Sequence, residues 1–169
     1  HIDNELEAVA AEAAGIDMFS CEVNDEFSRI REAAAATFIQ AAIPNGSVHS
    51  AADGVRIGFD LLNRGADAVY CTASLSIIEA MAKEGIPVTG HTGLIPNHVR
   101  WTNFRAIGKT PEEAIEVYRK VKSLESAGAW AVEVEVVPVP LATFVTKNTS
   151  LLTEGMGSGS VCDTQYLFS

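Results

Sequence analysis

The sequence has few cysteines and no long apolar run. Its three cysteines, Cys21, Cys71 and Cys162, are odd in number and show no Cys-x-x-Cys spacing, which argues against a disulfide framework and a structural zinc site. Its apolar runs have the length of strands, as at residues 129–132, so we predict no membrane-spanning segment. No basic stretch precedes an apolar core near residue 1, so we predict no signal peptide. These absences favour a reducing, cytoplasmic setting.

Positive charge is also scarce. The chain carries 22 acidic and 12 basic residues, for a net charge of -10, and its densest basic pair is Arg29 and Arg31. Such a surface repels a polyanion, so we expect neither nucleic acid nor a membrane as a partner. The 47% hydrophobic and 20% charged content excludes a disordered chain and is typical of a globular domain.

One local pattern recurs along the chain: a helical stretch ends in glycine, and a short apolar run follows at once. Glycine suits the left-handed position just past a helix end, because it has no Cβ to clash. Apolar runs without alternation are typical of strands that are buried on both faces. The four glycines are Gly15, Gly65, Gly85 and Gly128. The repeat therefore predicts βα units around a parallel sheet.

The pattern predicts seven strands and about six helices, without a linker between them. Five of these helices are placed near residues 5–14, 25–36, 51–63, 76–83 and 110–126. Strands are predicted near residues 16–22, 37–43, 67–71, 87–90, 129–137, 151–155 and 164–168. The clearest helix start is at Thr110, which we predict to be the N-cap, with Pro111 in the first turn and Glu113 closing a capping box.

Two carboxylates lie in a valine-rich predicted strand. Glu133 and Glu135 point to the same face, because side chains alternate along a strand. In a barrel that face is the interior, where a carboxylate needs a partner, a metal or a proton and can act as a general base. The alternative is an edge strand whose polar face lies in water.

Two glycine-flanked segments are further candidates. His91 lies between Gly90 and Gly93, and it is either a substrate hydrogen-bond donor and proton shuttle or a capped loop histidine. Residues 155–160 form a glycine- and serine-rich loop that either presents backbone N–H groups to an anion or is a flexible turn. His49 and His98 have no ligand-spaced neighbours, so we predict that they lie at the surface, whereas Cys21 and Cys71 are predicted to be buried.

Three motifs in order resemble the ketopantoate hydroxymethyltransferase family. The segment GIPVTGHTGLIP (85–96) resembles the family's GIPVMGHxGLTPQ, and AGAWAVEVEVVP (127–138) resembles its AGAFALVLECVP. The segment GMGSGSVCDTQ (155–165) resembles GIGAGxxCDGQ, and GADAV (65–69) matches the family upstream. The resemblance is clear from residue 65 to residue 168 and weak over the first 60 residues.

The resemblance implies a (βα)8 TIM-type barrel of the phosphoenolpyruvate mutase/isocitrate lyase type. It implies a homo-oligomeric transferase of pantothenate biosynthesis that moves a hydroxymethyl group from methylenetetrahydrofolate to 2-oxoisovalerate, a small 2-oxo acid, with Mg²⁺ holding the enolate. By position, Glu135 matches the family's catalytic base and His91 its substrate-contacting histidine.

The chain departs from the family where that family binds its metal. The GDS motif, with a metal-binding Asp and a substrate-binding Ser, falls at residues 22–24, so Asn24 becomes a candidate substrate-binding residue and Glu22 a weak candidate metal ligand. The second metal-binding Asp falls at Ala42, and a Lys and a Glu of the family fall at Tyr70 and Thr72. These replacements leave two alternatives: a diverged lyase, isomerase or decarboxylase with a different or absent metal site, and a non-catalytic barrel.

The length is short for the implied fold. A complete (βα)8 barrel has about 250 residues, whereas this chain has 169. We therefore expect a single barrel domain over residues 1–169 that is incomplete at both ends, without the family's first strand and its closing C-terminal helix. The expectation is that the chain belongs to a longer polypeptide or is completed by other segments.

Overall fold

The computed structural model describes residues 1–167 of an α/β protein, and these divide into two compact units. The first unit comprises residues 1–88 together with Leu167, and the second comprises residues 89–166. That residues 1–169 form a single domain stays a prediction. Among the residues described, no helix is both long and apolar enough to span a membrane.

The first unit alternates helices with parallel strands. Its elements are α1 (Glu5–Ala13), β1 (Met18–Glu22), α2 (Phe27–Ala33), β2 (Phe38–Ala42), α3 (Ala51–Asn63), β3 (Ala68–Tyr70) and α4 (Leu75–Lys83). Strand β2 pairs in parallel with both β1 and β3. Helices α3 and α4 pack so closely at Gly54 that a Cβ on this residue would lie only 2.7 Å from Ile77 Cγ2.

The second unit continues the same alternation. Its elements are β4 (Val88–Gly93), a 3-10 helix (Pro96–His98), α5 (Val99–Thr102), α6 (Pro111–Ser126), β5 (Ala131–Glu135), α7 (Val139–Lys147), β6 (Leu152–Met156) and β7 (Thr164–Gln165). Strands β4, β5, β6 and β7 pair in parallel in that order. The seven predicted strands are therefore confirmed, and each pairing within the two units is parallel.

The predicted start of α6 is confirmed with one change. Thr110 Oγ1 accepts the Glu113 backbone N–H at 3.3 Å, as an N-cap should. The Glu113 carboxylate reaches past Thr110 to the N–H groups of Gly108 and Lys109 and pairs with Arg105 at 2.6 Å. The Arg105 guanidinium, followed by those backbone N–H groups, lowers the pKa of Glu113 to about 2.

Other boundaries differ from the predictions. The sequence pattern does not predict helix α7, because Val139, Pro140 and Thr143 disfavour a helix interior. Pro138 and Pro140 both lie at the start of the helix, where a backbone N–H is not needed for helical hydrogen bonds. The strand predicted for 129–137 ends at Glu135, and that predicted for 87–90 extends to Gly93. The last strand is short, and Phe168 of its predicted span lies outside the described residues.

The three cysteines are free, as the odd number and spacing predict. All three are buried, which confirms the prediction made for Cys21 and Cys71. Burial is the main cause that raises the pKa of Cys21 to about 12, and burial also raises the pKa of Cys71 and Cys162. These side chains therefore serve as small apolar groups of the interior.

Glycine at position 90 fixes which face of β4 meets a helix. A Cβ built on Gly90 would lie 2.5 Å from Leu124 Cδ2 in α6, so this residue faces α6. Side chains alternate along a strand, so His91 points to the opposite face. Strand β4 thus packs its glycine side on the helix and turns its histidine away from it.

Replacing Gly90 with alanine should destabilise the fold through this contact. We expect G90A to lower the free energy of unfolding by about 1–3 kcal/mol, because overpacking at a fixed backbone forces side chains out of their preferred positions. Urea unfolding of G90A, L124A and the double variant measures the coupling. The double variant should lose less than the sum of the two single changes, and strict additivity would contradict the assigned contact.

Candidate active site

His91, Glu133 and Glu135 lie together on the face of β4 and β5 that points away from α6. In the parallel pairing His91 is opposite Glu133, and Gly93 is opposite Glu135. The exposed fractions of the three residues are 3%, 3% and 5%. Because β5 also pairs with β6, the alternative of an edge strand in water is wrong. The alternative of a capped loop histidine is also wrong, since His91 lies within β4.

One imidazole nitrogen of His91 makes two close approaches. Nε2 lies 2.8 Å from the carbonyl oxygen of Leu94 and 3.2 Å from Glu135 Oε2. A carbonyl oxygen only accepts hydrogen bonds, so Nε2 must carry the proton that it donates to Leu94. The histidine is therefore fixed in orientation beside the Glu135 carboxylate.

The surroundings of His91 favour its protonated form. Burial by itself lowers the pKa of His91, because it disfavours a charge. The contact with Glu135, the negative charges of Glu133 and Glu135, and the carbonyl of Leu94 together outweigh burial and raise the pKa above its ordinary value. The site thus places a protonated His91, which can act as an acid, next to the Glu135 carboxylate.

The backbone around Glu135 is clamped on both sides. Its carbonyl oxygen accepts the Leu94 N–H at 2.8 Å, and a Cβ on Gly93 would lie 2.1 Å from that oxygen, so only glycine fits at position 93. The next residue, Val136, has φ of +46°, and its N–H donates to Met156 at 2.7 Å. A β-branched residue rarely adopts this conformation, so the surrounding hydrogen bonds must hold it there.

A fully buried serine from the loop after β6 completes this clamp. Ser158 Oγ donates to the Val134 carbonyl at 2.8 Å and accepts the Val137 N–H at 3.2 Å. Our two sequence interpretations of this loop, an anion site and a flexible turn, both missed this role. The hydroxyl satisfies two buried backbone groups on either side of Glu135, which an alanine could not do.

Sequence reasoning also missed Glu154, which is fully buried on β6. It lies opposite Glu133 in the β5–β6 pairing, so it belongs to the same row as His91 and Glu133. A signal for it exists in the sequence, because a carboxylate inside a predicted buried strand is as unusual at 154 as at 133. The three neighbouring strands therefore each bring one titratable side chain to one level of the sheet.

The remaining predicted residues lie in the first unit. Glu22 and Asn24 are both exposed, and Asn24 Oδ1 accepts the Glu26 N–H at 2.8 Å. Across the strands, Glu22 lies opposite Ala42, and Ala42 lies opposite Tyr70. This row offers one carboxylate, one methyl group and one phenol. It does not fit a magnesium site built on two carboxylates.

The chain is similar to curated proteins described as 3-methyl-2-oxobutanoate hydroxymethyltransferases. The chain is 39% identical to the 3-methyl-2-oxobutanoate hydroxymethyltransferase of Pyrococcus abyssi (strain GE5 / Orsay) over 76% of this chain and 48% of that protein. It is 37% identical to the protein of that description in Thermococcus kodakarensis (strain ATCC BAA-918 / JCM 12380 / KOD1), over 82% of this chain and 50% of that one. The chain thus spans about half the length of the curated relatives that it matches.

Solved structures with a similar fold have low sequence identity. A putative phosphonomutase from Burkholderia cenocepacia J2315 matches with a TM-score of 0.69 and 12% identity, over 92% of this chain and 75% of that one. The orotidine 5'-phosphate decarboxylase from Pyrococcus horikoshii OT3 matches with a TM-score of 0.65 and 12% identity, over 92% of this chain and 73% of that one. These likenesses show the fold alone, an α/β fold of the kind found in TIM-barrel-like enzymes.

The family comparison covers almost the whole chain. The sequence model for ketopantoate hydroxymethyltransferase matches residues 8–169. This span includes β4 and β5, which carry His91 and Glu135. The chain belongs to the ketopantoate hydroxymethyltransferase family.

Proposed function

We propose that the protein acts as a hydroxymethyltransferase on a small 2-oxo acid, 2-oxoisovalerate, with methylenetetrahydrofolate as the one-carbon donor and ketopantoate as the product. The observation that carries the proposal is the buried contact between His91 Nε2 and Glu135 Oε2, at 3.2 Å, on neighbouring strands. Membership of the family supports it. In the motif resemblance, both residues match the positions of the family's histidine and base.

The two residues divide the chemistry between them. Glu135 removes a proton from C3 of the 2-oxo acid, and the electrons of the C–H bond form an enolate. His91 donates a hydrogen bond to the substrate oxygen that gains this charge. Water hydrolyses the methylene bridge of the folate, so that tetrahydrofolate leaves and the one-carbon unit becomes formaldehyde. The enolate carbon then bonds to the formaldehyde carbon, and the proton held by Glu135 goes to the formaldehyde oxygen, which becomes the hydroxyl. The clamp at Gly93, Val136 and Ser158 keeps the Glu135 backbone in position for the first step.

The Mg²⁺ implied by the family resemblance does not fit the row formed by Glu22, Ala42 and Tyr70. We therefore assign no step to an ion at that row. The same observation favours a second candidate function, a diverged lyase, isomerase or decarboxylase that acts on a 2-oxo acid. Both candidates start with chemistry next to the substrate carbonyl, and they differ in whether a folate-borne carbon is transferred.

The proposal extends to the whole protein. We propose that the parallel strands belong to a (βα)8 barrel completed by further segments, that Asn24 helps to bind the substrate, and that the protein works as a homo-oligomer in the cytoplasm.

Exchange of the C3 proton tests the first step alone. In D2O the protein should catalyse loss of the C3–H signal of 2-oxoisovalerate, followed by proton NMR. We expect Glu135→Gln to slow this exchange by about 10²–10⁴-fold, because the amide cannot accept the proton. Glu116→Gln, at an exposed position of α6, is the matched control and should exchange at the wild-type rate.

Two outcomes would argue against this assignment. An E135Q variant that exchanges the proton at the control rate would remove Glu135 as the base. Exchange without any ketopantoate after addition of methylenetetrahydrofolate would reject the transferase and favour the diverged lyase or isomerase.

The protonation of His91 provides an independent check of the site. NMR titration of its ring should give a pKa above the ordinary histidine value, and Glu135→Gln should lower that pKa, because it removes the contact that raises it most. Glu133→Gln should also lower it, since the negative charge of Glu133 raises the pKa of His91. A pKa that stays unchanged in E135Q would contradict the described contact.

A further inference from the structure

The side chains of His91, Glu133 and Glu135 form a cluster with the composition of a metal site. One ligand atom from each residue, a ring nitrogen or a carboxylate oxygen, lies within 4.8 Å of the other two. All three residues are buried, and they are held by the β4–β5 pairing rather than by loops. The three side chains are therefore close together before any ion arrives. The ion must displace the proton that His91 donates to Leu94, because only an unprotonated ring nitrogen binds a metal.

The spacing is close to what coordination requires. An ion with bonds of about 2.1 Å to nitrogen and oxygen holds tetrahedral ligands about 3.4 Å apart. Atoms that already lie within 4.8 Å of one another reach that spacing through small side-chain rotations.

A second observation points into the same cluster. Glu135 Oε2 is buried and, among the residues described, receives no hydrogen bond of good geometry, although His91 Nε2 lies 3.2 Å away. A buried carboxylate oxygen without a donor is costly, and a cation is one way to satisfy it. Glu133 adds a further indication, because it stands where the motif AGAFALVLECVP has valine.

We propose that His91, Glu133 and Glu135 bind a divalent transition-metal ion of the Zn²⁺, Mn²⁺ or Co²⁺ type. One imidazole and two carboxylates suit these ions, whereas Mg²⁺ prefers oxygen ligands throughout. Glu154, opposite Glu133 on β6, places another buried carboxyl group beside the ligands. The proposed ligands are other residues than Glu22, Ala42 and Tyr70, where the resemblance would place the metal.

This inference goes beyond the proposed function and does not depend on it. A carboxylate oxygen that binds a metal cannot accept a proton at the same time, so the ion and the proton of the substrate compete for Glu135. Metal binding is therefore measured on the intact chain without any substrate. Failure of the transferase assay and failure of metal binding remain separate results.

Calorimetric titration of chelator-treated protein with ZnCl2 tests the site, and CoCl2 provides a visible spectrum. We expect one Zn²⁺ per chain, weaker binding of Mg²⁺, and Co²⁺ absorption bands of a nitrogen- and oxygen-liganded ion. Glu133→Val should weaken Zn²⁺ binding by at least about 100-fold, because it removes a ligand and not only a supporting contact. Valine suits a buried strand, so this variant should fold, and circular dichroism checks that it does.

Matched controls separate this site from adventitious surface binding. His49→Gln removes an exposed histidine and Glu116→Gln an exposed carboxylate, so both variants should bind Zn²⁺ as the wild type does. His91→Gln should lose the Zn²⁺ site together with the Co²⁺ bands. The proposal is overturned if folded E133V keeps wild-type affinity, or if the wild-type chain binds no transition-metal ion.

Discussion

The contact between His91 and Glu135 depends on a backbone held in a conformation that its residue does not favour. Strand β5 ends at Glu135, and Val136 turns at once to φ of +46°. Three hydrogen bonds hold this turn. The Leu94 N–H donates to the Glu135 carbonyl, the Val136 N–H donates to the Met156 carbonyl, and the Val137 N–H donates to Ser158 Oγ. Isolated valine would leave this conformation, so the packing of β4, β5 and β6 must maintain it. The position of the carboxylate is thus a property of three strands and one loop.

The alternation of apolar runs and glycines predicts the parallel α/β fold, because it reflects local physics. The glycines end helices, and buried strands need apolar side chains on both faces. Helix α7 escaped prediction for the same reason, since Val139 and Pro140 favour other local structures and only packing overrides them. The sequence also predicts that Glu133 and Glu135 share a face, but not whether water reaches it. Burial is settled by the pairing of β5 with two neighbours.

The missed residues share one cause. Ser158 and Glu154 matter through partners that are 21 or more residues away in sequence, at Val134, Val137 and Glu133. Register between strands decides such pairings, and a single sequence does not specify register. His91 and Glu135 can be identified from the sequence because local features mark them, a glycine-flanked histidine and a carboxylate in an apolar strand, and the family motifs add their roles. The motifs predict less at Glu22, Ala42 and Tyr70, because these residues align with family positions but differ from the family in chemistry.

The close approach at Gly93 has a consequence for how this protein can change over time. A side chain at position 93 would occupy the space of the Glu135 carbonyl, so substitution there removes the alignment of β4 with β5. Position 133 is different, because a neighbouring strand residue can be apolar or acidic without altering the backbone. Mutation at position 133 can therefore change the charge beside His91 while the carboxylate at 135 stays in place. Proteins that vary in this way would keep the fold and the carboxylate at 135 while their ligand specificity changes.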